Sequence, residues 1–409
     1  LLAADGEPED GGPDEDPFEH AVVIVDALLG TGFEGEPRGG MVEAIDAVNA
    51  ADVPVVSIDV PSGVDASTGV IAGRAVSASL TVTFHAGKPG LWISPGKAHS
   101  GSVEVIDIGI PRGAPGDAAI GLLEPAVLEQ LPRRGASSTK FTSGHVLVVG
   151  GSRGLSGAPQ MCAHASMRAG AGYVTACVPA SLQAILASAG PPELMTRGLA
   201  EDENGLTPAG VAAVLRETGR GGALALGPGL GRGEGAVTFA RTLAREASLP
   251  LVLDADGLNA HARRLRELAV RTAPTVLTPH AGELGRLLEL DSADLERERL
   301  RHVRAAAEMA GAVVVLKGDD TLIADPGGRV AVSRGGVPAL ATAGTGDVLT
   351  GVIAALLSQG LDPFLAAAAG VCLHAGAGRL ATRHQGAAEG VIASDVIAAL
   401  PAARVALEG

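Results

Sequence analysis

Short runs of valine, isoleucine and leucine, with no polar residue in every second place, alternate with alanine-rich stretches along most of this 409-residue chain. Strands that read as unbroken apolar runs are covered on both faces, and strands separated by helix-length segments are joined by crossovers. The pattern therefore points to parallel α/β architecture. Strands are expected at 21–25, 54–58, 80–84, 145–149, 173–178, 222–226, 250–254, 275–278 and 312–316. A Pro/Gly-rich stretch at 109–116 breaks the rhythm, so 109–121 reads as a linker. It separates an acidic segment at 1–20 and a small α/β unit at 21–112 from a larger domain at 121–409.

Composition narrows the function. With 46% hydrophobic, 19% charged and only 2% aromatic residues, the core of a soluble globular protein must be built from Ala, Val and Leu. The longest apolar stretches, 348–357 and 364–373, fall short of the roughly 18 residues of a membrane span, so no membrane partner is expected. The acidic N-terminal residues argue against a signal or transit peptide. A formal charge of −15 argues against nucleic acid, which needs broad basic surface, but leaves room for a small anionic ligand. Cys162, Cys177 and Cys372 are dispersed and form no C-x-x-C pair, which suggests reduced thiols and a cytoplasmic location.

The most specific motif is Ala341-Thr342-Ala343-Gly344-Thr345-Gly346-Asp347, followed at once by an apolar helix. Glycines before a helix leave unpaired amide N–H groups pointing outward, ready for a phosphate. Asp347 stands at the mouth of that cradle, where it can take a proton from a hydroxyl beside the phosphate. Thr345 offers a plain helix cap as the blander explanation. Four further segments lie at strand ends, where open α/β sheets bind ligands. Gly227-Pro228-Gly229-Leu230-Gly231 permits close backbone approach or simply turns. Asp254 either orients magnesium or water, or caps the next helix. His280 and Glu283 read as a substrate contact and a water-mediated magnesium ligand, or as structural groups. Lys317, one of only four lysines among 31 basic residues, suits a phosphate or an ordinary surface.

Two tempting motifs fail. Residues 90–97 imitate a P-loop, but the glycines are too far apart and Ala98 replaces the magnesium-binding hydroxyl. Gly30-Thr31-Gly32-Phe33-Glu34-Gly35 satisfies G-x-G-x-x-G, yet Pro37 and Gly39-Gly40 intervene before the next helix.

Taken together and in order, Lys140 to Ser152, Ser156-Gly157-Ala158, Arg168 to Gly172 and the segments above resemble the ADP- or ATP-dependent NAD(P)H-hydrate dehydratases. These belong to the ribokinase-like superfamily. The resemblance implies a ribokinase-like three-layer αβα domain preceded by a partial Rossmann-like α/β domain. It implies that Ala158, Gly229, His280 and Asp347 contact the hydrated nicotinamide nucleotide. Lys317, Gly318, Asp319, Asp320, Thr321 and Gly346 would contact the adenine nucleotide, with Mg2+ as cofactor. Ala281 departs from the proline usual in the histidine motif. The front part is similar to the NAD(P)H-hydrate epimerase domain, through 26–35, 59–65 and Lys88-Pro89-Gly90. That similarity implies K+ bound by Asp26 and Ser62. It also implies hydrate bound by Gly30, Thr31, Gly32, Phe33, Glu34, Gly35, Glu36 and Asp59. The asparagine- and glycine-rich segment that supplies further ligands in that family has no counterpart here. The resemblance also implies a homo-oligomer, up to a tetramer. The implied reaction is dehydration of the hydrate to NAD(P)H through a phosphorylated intermediate. A ribokinase-like vitamin-precursor kinase and a non-catalytic nucleotide-binding scaffold are the competing readings.

Overall fold

The structure is a computed structural model that describes residues 18, 20–111, 118–219 and 221–408. Apart from Phe18 and His20, the acidic segment at 1–20 lies outside the described residues, as do 112–117 of the expected linker. Contacts group the chain into one unit up to Ala118, with Glu296–Arg299, and another from Ala119 to Leu295 and from Leu300 on.

The first unit carries β1 (Ile24–Asp26), α1 (Gly40–Ala50), β2 (Val55–Ile58), β3 (Leu80–Phe84), α2 (Gly96–His99) and β4 (Ser102–Ile106). Its four strands are parallel and ordered β1-β2-β3-β4. Burial alternates along β2 and β3, unlike the unbroken burial their sequence suggests. β4, a strand not expected from the sequence, leaves Val105 and Ile106 exposed. Ile24, Ile45, Val48, Val55 and Val76 form a small core between α1 and the sheet.

The second unit is built on one ten-stranded sheet ordered β5-β16-β15-β14-β13-β12-β11-β6-β7-β8. Its early elements are β5 (Ile120–Leu122), β6 (His145–Val149), α3 (Gly157–Arg168), β7 (Tyr173–Pro179), α4 (Ala180–Ala189) and β8 (Met195–Leu199). A two-stranded ribbon, β9 (Glu201–Asp202) and β10 (Gly205–Leu206), follows, then α5 (Val211–Thr218), β11 (Ala223–Leu226) and α6 (Glu234–Glu246). Next come β12 (Leu251–Leu253), α7 (Ala255–Asn259), β13 (Thr275–Leu277), α8 (Ala281–Leu288), α9 (Ser292–Arg297), α10 (Arg299–Ala310) and β14 (Val313–Leu316). The chain ends with β15 (Leu322–Ala324), β16 (Val330–Val332), α11 (Thr345–Ser358), α12 (Pro363–Gln385) and α13 (Ala393–Glu408). β5 overlaps the end of the expected linker: Ile120 to Leu122 pair in parallel with Val330 to Val332, which secures this stretch to the sheet. Every residue of β6, β11, β12, β13 and β14 is buried, as continuous apolar runs require.

Small residues let the helices approach closely, which is how a core with few aromatics closes. A β-carbon on Gly351 would lie 2.1 Å from the Cys162 carbonyl oxygen, so α11 and α3 touch backbone to backbone at that level. The Ser166 hydroxyl donates to the Gly351 carbonyl at 2.9 Å and fixes the crossing. α12 corrects the sequence reading, because the apolar stretch at 364–373 continues as one 23-residue helix. It is long and apolar enough to cross a membrane, yet 72% of its most apolar window is buried inside the protein. It packs on α11 and α13 as a core helix does. Cys162, Cys177 and Cys372 are unpaired thiols.

Candidate active site

The strand order reverses at β6, with β7 and β8 on one side and β11 to β14 on the other. Ligands of open α/β sheets sit outside the carboxyl ends of strands at such a switch point. Here the ends of β6 and β11 clasp each other: the Gly151 amide donates to the Pro228 carbonyl at 2.9 Å. Gly229 takes φ +62°, and a β-carbon there would lie 2.6 Å from the Leu155 carbonyl oxygen and 3.1 Å from the Ala158 β-carbon. The fold thus brings Gly229 and Ala158, 71 residues apart by their numbers, into contact.

Asp347 is the third residue of α11, whose N-cap Gly344 has φ +92° and ψ −15°. That left-handed conformation costs glycine nothing and turns the chain so that the first amides of α11 face outward. Lys317 directly follows β14 and its Nζ lies 3.5 Å from where a Gly346 β-carbon would stand. The cation therefore borders the amide cradle. Asp254, at the end of β12 and 2% exposed, holds that lysine: Nζ donates to Oδ1 at 3.0 Å. Its Oδ2 accepts from the Thr350 hydroxyl at 2.7 Å. The carboxylate does not cap α7, since both oxygens turn inward to Lys317 and α11. Glu283 Oε2 lies 3.8 Å from Lys317 Nζ.

These charges decide protonation. Burial raises the Asp347 carboxyl, the Asp254 charge raises it further against the pull of Lys317, and Glu283 adds to the rise, bringing it to about 7. Burial draws the Lys317 ammonium down, but Asp254, Glu283 and Asp347 outweigh it and leave the group above its ordinary value. A carboxyl poised near neutrality beside a firmly held cation suits a general base.

His280 precedes α8 and caps it. Its Nδ1 accepts from the Gly282 amide at 3.0 Å and the Glu283 amide at 3.4 Å, while Glu283 Oε2 accepts from the His280 amide at 3.0 Å. Glu283 has a structural part, because its carboxylate closes the capping box, and the same carboxylate faces Lys317. Ala281 occupies the first turn of α8. Proline is favoured there because no intrahelical partner awaits its missing N–H, so alanine costs little.

A cavity of about 420 Å³ opens beside the cradle, and its lining includes Lys317, Gly318, Asp319, Thr321, Thr345 and Gly346. Val337, Pro338, Leu340, Leu349, Val371 and Ala375 make its apolar portion. Asp320 was expected to join Lys317 to Thr321 as a ligand; it is 2% exposed and lies outside the cavity lining, turned into the fold. The stretch after β16 was missed as a wall of the site because β15 and β16 were missed. Two short apolar runs flanking Asp325-Pro326-Gly327-Gly328 carry a hairpin signal that would have revealed them. Thr350, three residues beyond Asp347 on one helix face, was equally legible.

In the first unit, Asp26 ends β1 and is 1% exposed. Its carboxylate accepts from the Ser57 hydroxyl at 2.7 Å, the Ser62 amide at 2.9 Å and the Ser62 hydroxyl at 2.5 Å. Asp26 and Ser62, expected to share a cation, are thus in contact. The residues 30–36 form an exposed loop whose start is tied to Ser62 by the Leu29 amide at 2.8 Å. Asp59, with φ +69°, pairs with Lys88 at 2.5 Å and accepts from the Thr83 hydroxyl at 2.9 Å. Burial raises its carboxyl, but the bonds from Lys88, Thr83 and the Phe84 amide prevail and hold it below its usual value.

The fold of the second unit is ribokinase-like. A ribokinase-like superfamily protein from Enterococcus faecalis superposes with TM-score 0.60 at 25% identity, over 72% of this chain and 98% of that one. The ADP/ATP-dependent NAD(P)H-hydrate dehydratase of Bacillus subtilis, co-crystallised with ATP and Mg2+, also gives 0.60, at 29% identity over 70% and 98%. Residues 146–402 match the NAD(P)H-hydrate dehydratase family and residues 4–90 the YjeF-related protein N-terminus. The bifunctional NAD(P)H-hydrate repair enzyme of Moorella thermoacetica is 43% identical over 391 residues, covering 93% of this chain and 72% of that one. That of Salinibacter ruber is 41% identical over 94% and 72%. The chain belongs to the bifunctional NAD(P)H-hydrate repair enzyme family, with an NAD(P)H-hydrate dehydratase domain joined to an epimerase-type domain.

Proposed function

We propose that Asp347 is the general base of dehydration and that the amides of Gly344 to Gly346 cradle the transferring phosphoryl group. The single observation that carries this is a carboxyl held near pH 7 at the mouth of a helix N-terminus, bordered by Lys317. The hydrate's hydroxyl is a poor leaving group, because water has a pKa of ~15.7. Asp347 takes the hydroxyl proton as its oxygen forms a bond to the terminal phosphorus of the nucleotide, and the bridging P–O bond to the shortened nucleotide breaks. Lys317 and the cradle stabilise charge on the transferring group. Phosphate, with a second pKa of about 6, then departs with the C–O bonding pair. The ring nitrogen's lone pair drives that departure, and loss of a neighbouring ring proton restores NADH or NADPH.

ADP or ATP is the phosphoryl donor in this reading, which the Bacillus subtilis dehydratase co-crystallised with ATP and Mg2+ supports. Asp254 has both oxygens committed, and Glu283 Oε2 already accepts from the His280 amide. These carboxylates fit an outer-sphere role toward magnesium, which when bound neutralises charge on the nucleotide phosphates. Ala158, Gly229 and His280 are assigned to the hydrate. In the first unit, the oxygen-only pair Asp26 and Ser62 suits K+, with Asp59 and the 30–36 loop toward the hydrate for epimerisation.

Incubating the protein with hydrate and ADP, then with ATP, tests the proposal. Recovery of NADH absorbance with stoichiometric free phosphate supports it. A stable phosphorylated product would favour a kinase instead, and nucleotide binding without turnover a scaffold.

A further inference from the structure

The stretch that follows β16 supplies one wall of the 420 Å³ cavity, through Ser333, Gly335, Gly336, Val337 and Pro338. No helix or strand covers 333–337. Gly335 and Gly336 stand side by side at φ +68° and +69°. Two left-handed residues in succession suit glycine best, and glycine also has the most conformational freedom to lose when a loop is fixed. A wall built on such a pair keeps its shape only if groups outside it hold it.

Two side chains from other segments bond this pair. The Asp319 carboxylate accepts from the Gly336 amide at 2.6 Å. Arg379, in α12 and 44 positions from Gly335, donates from Nη2 to the Gly335 carbonyl at 3.0 Å. Beside it, Gly378 leaves room for the same stretch: a β-carbon there would lie 2.8 Å from Val337 Cγ1 and 2.9 Å from Leu340 Cδ2. α12 therefore seats the loop twice, with a missing side chain at 378 and a guanidinium at 379. Arg379 is half-buried and does not line the cavity, so its action on a ligand passes through the loop. A staple of the general fold would join regular elements, whereas this one joins a helix to the two most deformable residues of a cavity wall. We infer that Arg379 is a positioning residue for nucleotide binding, holding Gly335 and Gly336 in the shape that the nucleotide meets. This rests on the reading of the cavity as the nucleotide site. Without the guanidinium the loop spreads over other shapes, and apparent affinity falls with the fraction that stays competent. Chemistry in the filled site is untouched.

The test measures kcat and the KM of each substrate in the hydrate repair assay, with ADP as donor, for the native chain, Arg379→Met and Arg379→Lys. Arg379→Met should raise the KM for ADP about tenfold, the size expected when a hydrogen bond from a charged donor is lost. Its kcat at saturating ADP and its KM for hydrate should stay within about twofold of native. Arg379→Lys, which can still donate to a carbonyl, should recover part of the loss. Hydrogen exchange gives a reading without turnover: amides of 334–337 should exchange faster in free Arg379→Met than in free native protein, and saturating ADP should bring the two together. An unchanged KM for ADP in folded Arg379→Met overturns the proposal, as does equal exchange in the two free proteins. An equal rise in both KM values marks a general loss of structure and overturns it too. So does a fall in kcat with the KM for ADP intact, which would move the arginine's effect to the chemistry. Should Arg379→Met fail to fold, Arg379→Gln, too short to reach the carbonyl, is read by the same split. Native enzyme that ignores both ADP and ATP would overturn the nucleotide reading itself, and this inference with it.

Discussion

Asp26 and Asp347 each stand near the carboxyl ends of parallel strands, but their surroundings differ in kind. Asp26 receives two amides and two hydroxyls within hydrogen-bond distance, and Asp59 has its lysine. Asp347 instead feels Asp254 and Glu283, and the cation that opposes them, Lys317, is bonded to Asp254. Donors fix the Asp26 carboxylate in place; burial, with neighbouring carboxylates, raises the Asp347 carboxyl to about 7. One environment anchors a carboxylate, and the other leaves a carboxyl near neutrality, as the proposed base role requires.

Substitutions can break this contrast. Asp347→Asn should lower dehydration by about 10³-fold, within the range of general-base removal, while hydrate and nucleotide still bind. Its melting temperature should exceed that of the native chain above pH 7. The sign follows from the raised carboxyl: its favourable contribution is full below the unfolded value near 4 and gone once pH passes about 7, and asparagine has none to lose. Near-native turnover would remove Asp347 from the base role. Asp26→Ala should do the reverse. It should destabilise the first unit by about 3 kcal/mol, because buried donors on Ser57 and Ser62 lose their acceptor, and leave dehydration within about twofold. Urea titration with limited proteolysis reads the first effect and the repair assay the second; a large loss of dehydration would undo the division of roles.

A finer test asks which charge sets the poise. In native enzyme the kcat profile should fall as pH drops through about 7. In Asp254→Asn, with one of the raising charges gone, the fall should begin at lower pH, whatever the loss in absolute rate. An acid limb that stayed put would show that Asp254 does not govern the proton on Asp347. The smallest effect is expected from Ala281→Pro. His280 already has φ −82° and ψ 171°, which a following proline accepts, so stability should rise by about 0.5 kcal/mol with activity unchanged. A loss of activity in a stably folded variant would show that the Ala281 amide has a role in the site.

Much of this was readable from the chain. Unbroken apolar runs gave the parallel strands β6 and β11 to β14, and a glycine run gave the turn into α11 with Asp347 in its first turn. Strands β15 and β16, at three residues each, were too short to register as periodic runs, and the cavity wall between β16 and α11 was lost with them. The burial of Asp320 was hidden because adjacent polar residues in a turn look alike until the turn is folded.

Local chemistry, then, was settled by sequence: which backbone can bend, which side chain can carry a proton, which runs must be buried. Tertiary structure decided what cannot be local. Lys317 reaches Asp254 across 63 positions and Thr350 reaches it across 96, and α12 brings His374 to the cavity from beyond them all. A carboxyl's affinity for its proton depends on charges a few ångströms away and on excluded water, and only folding assembles either.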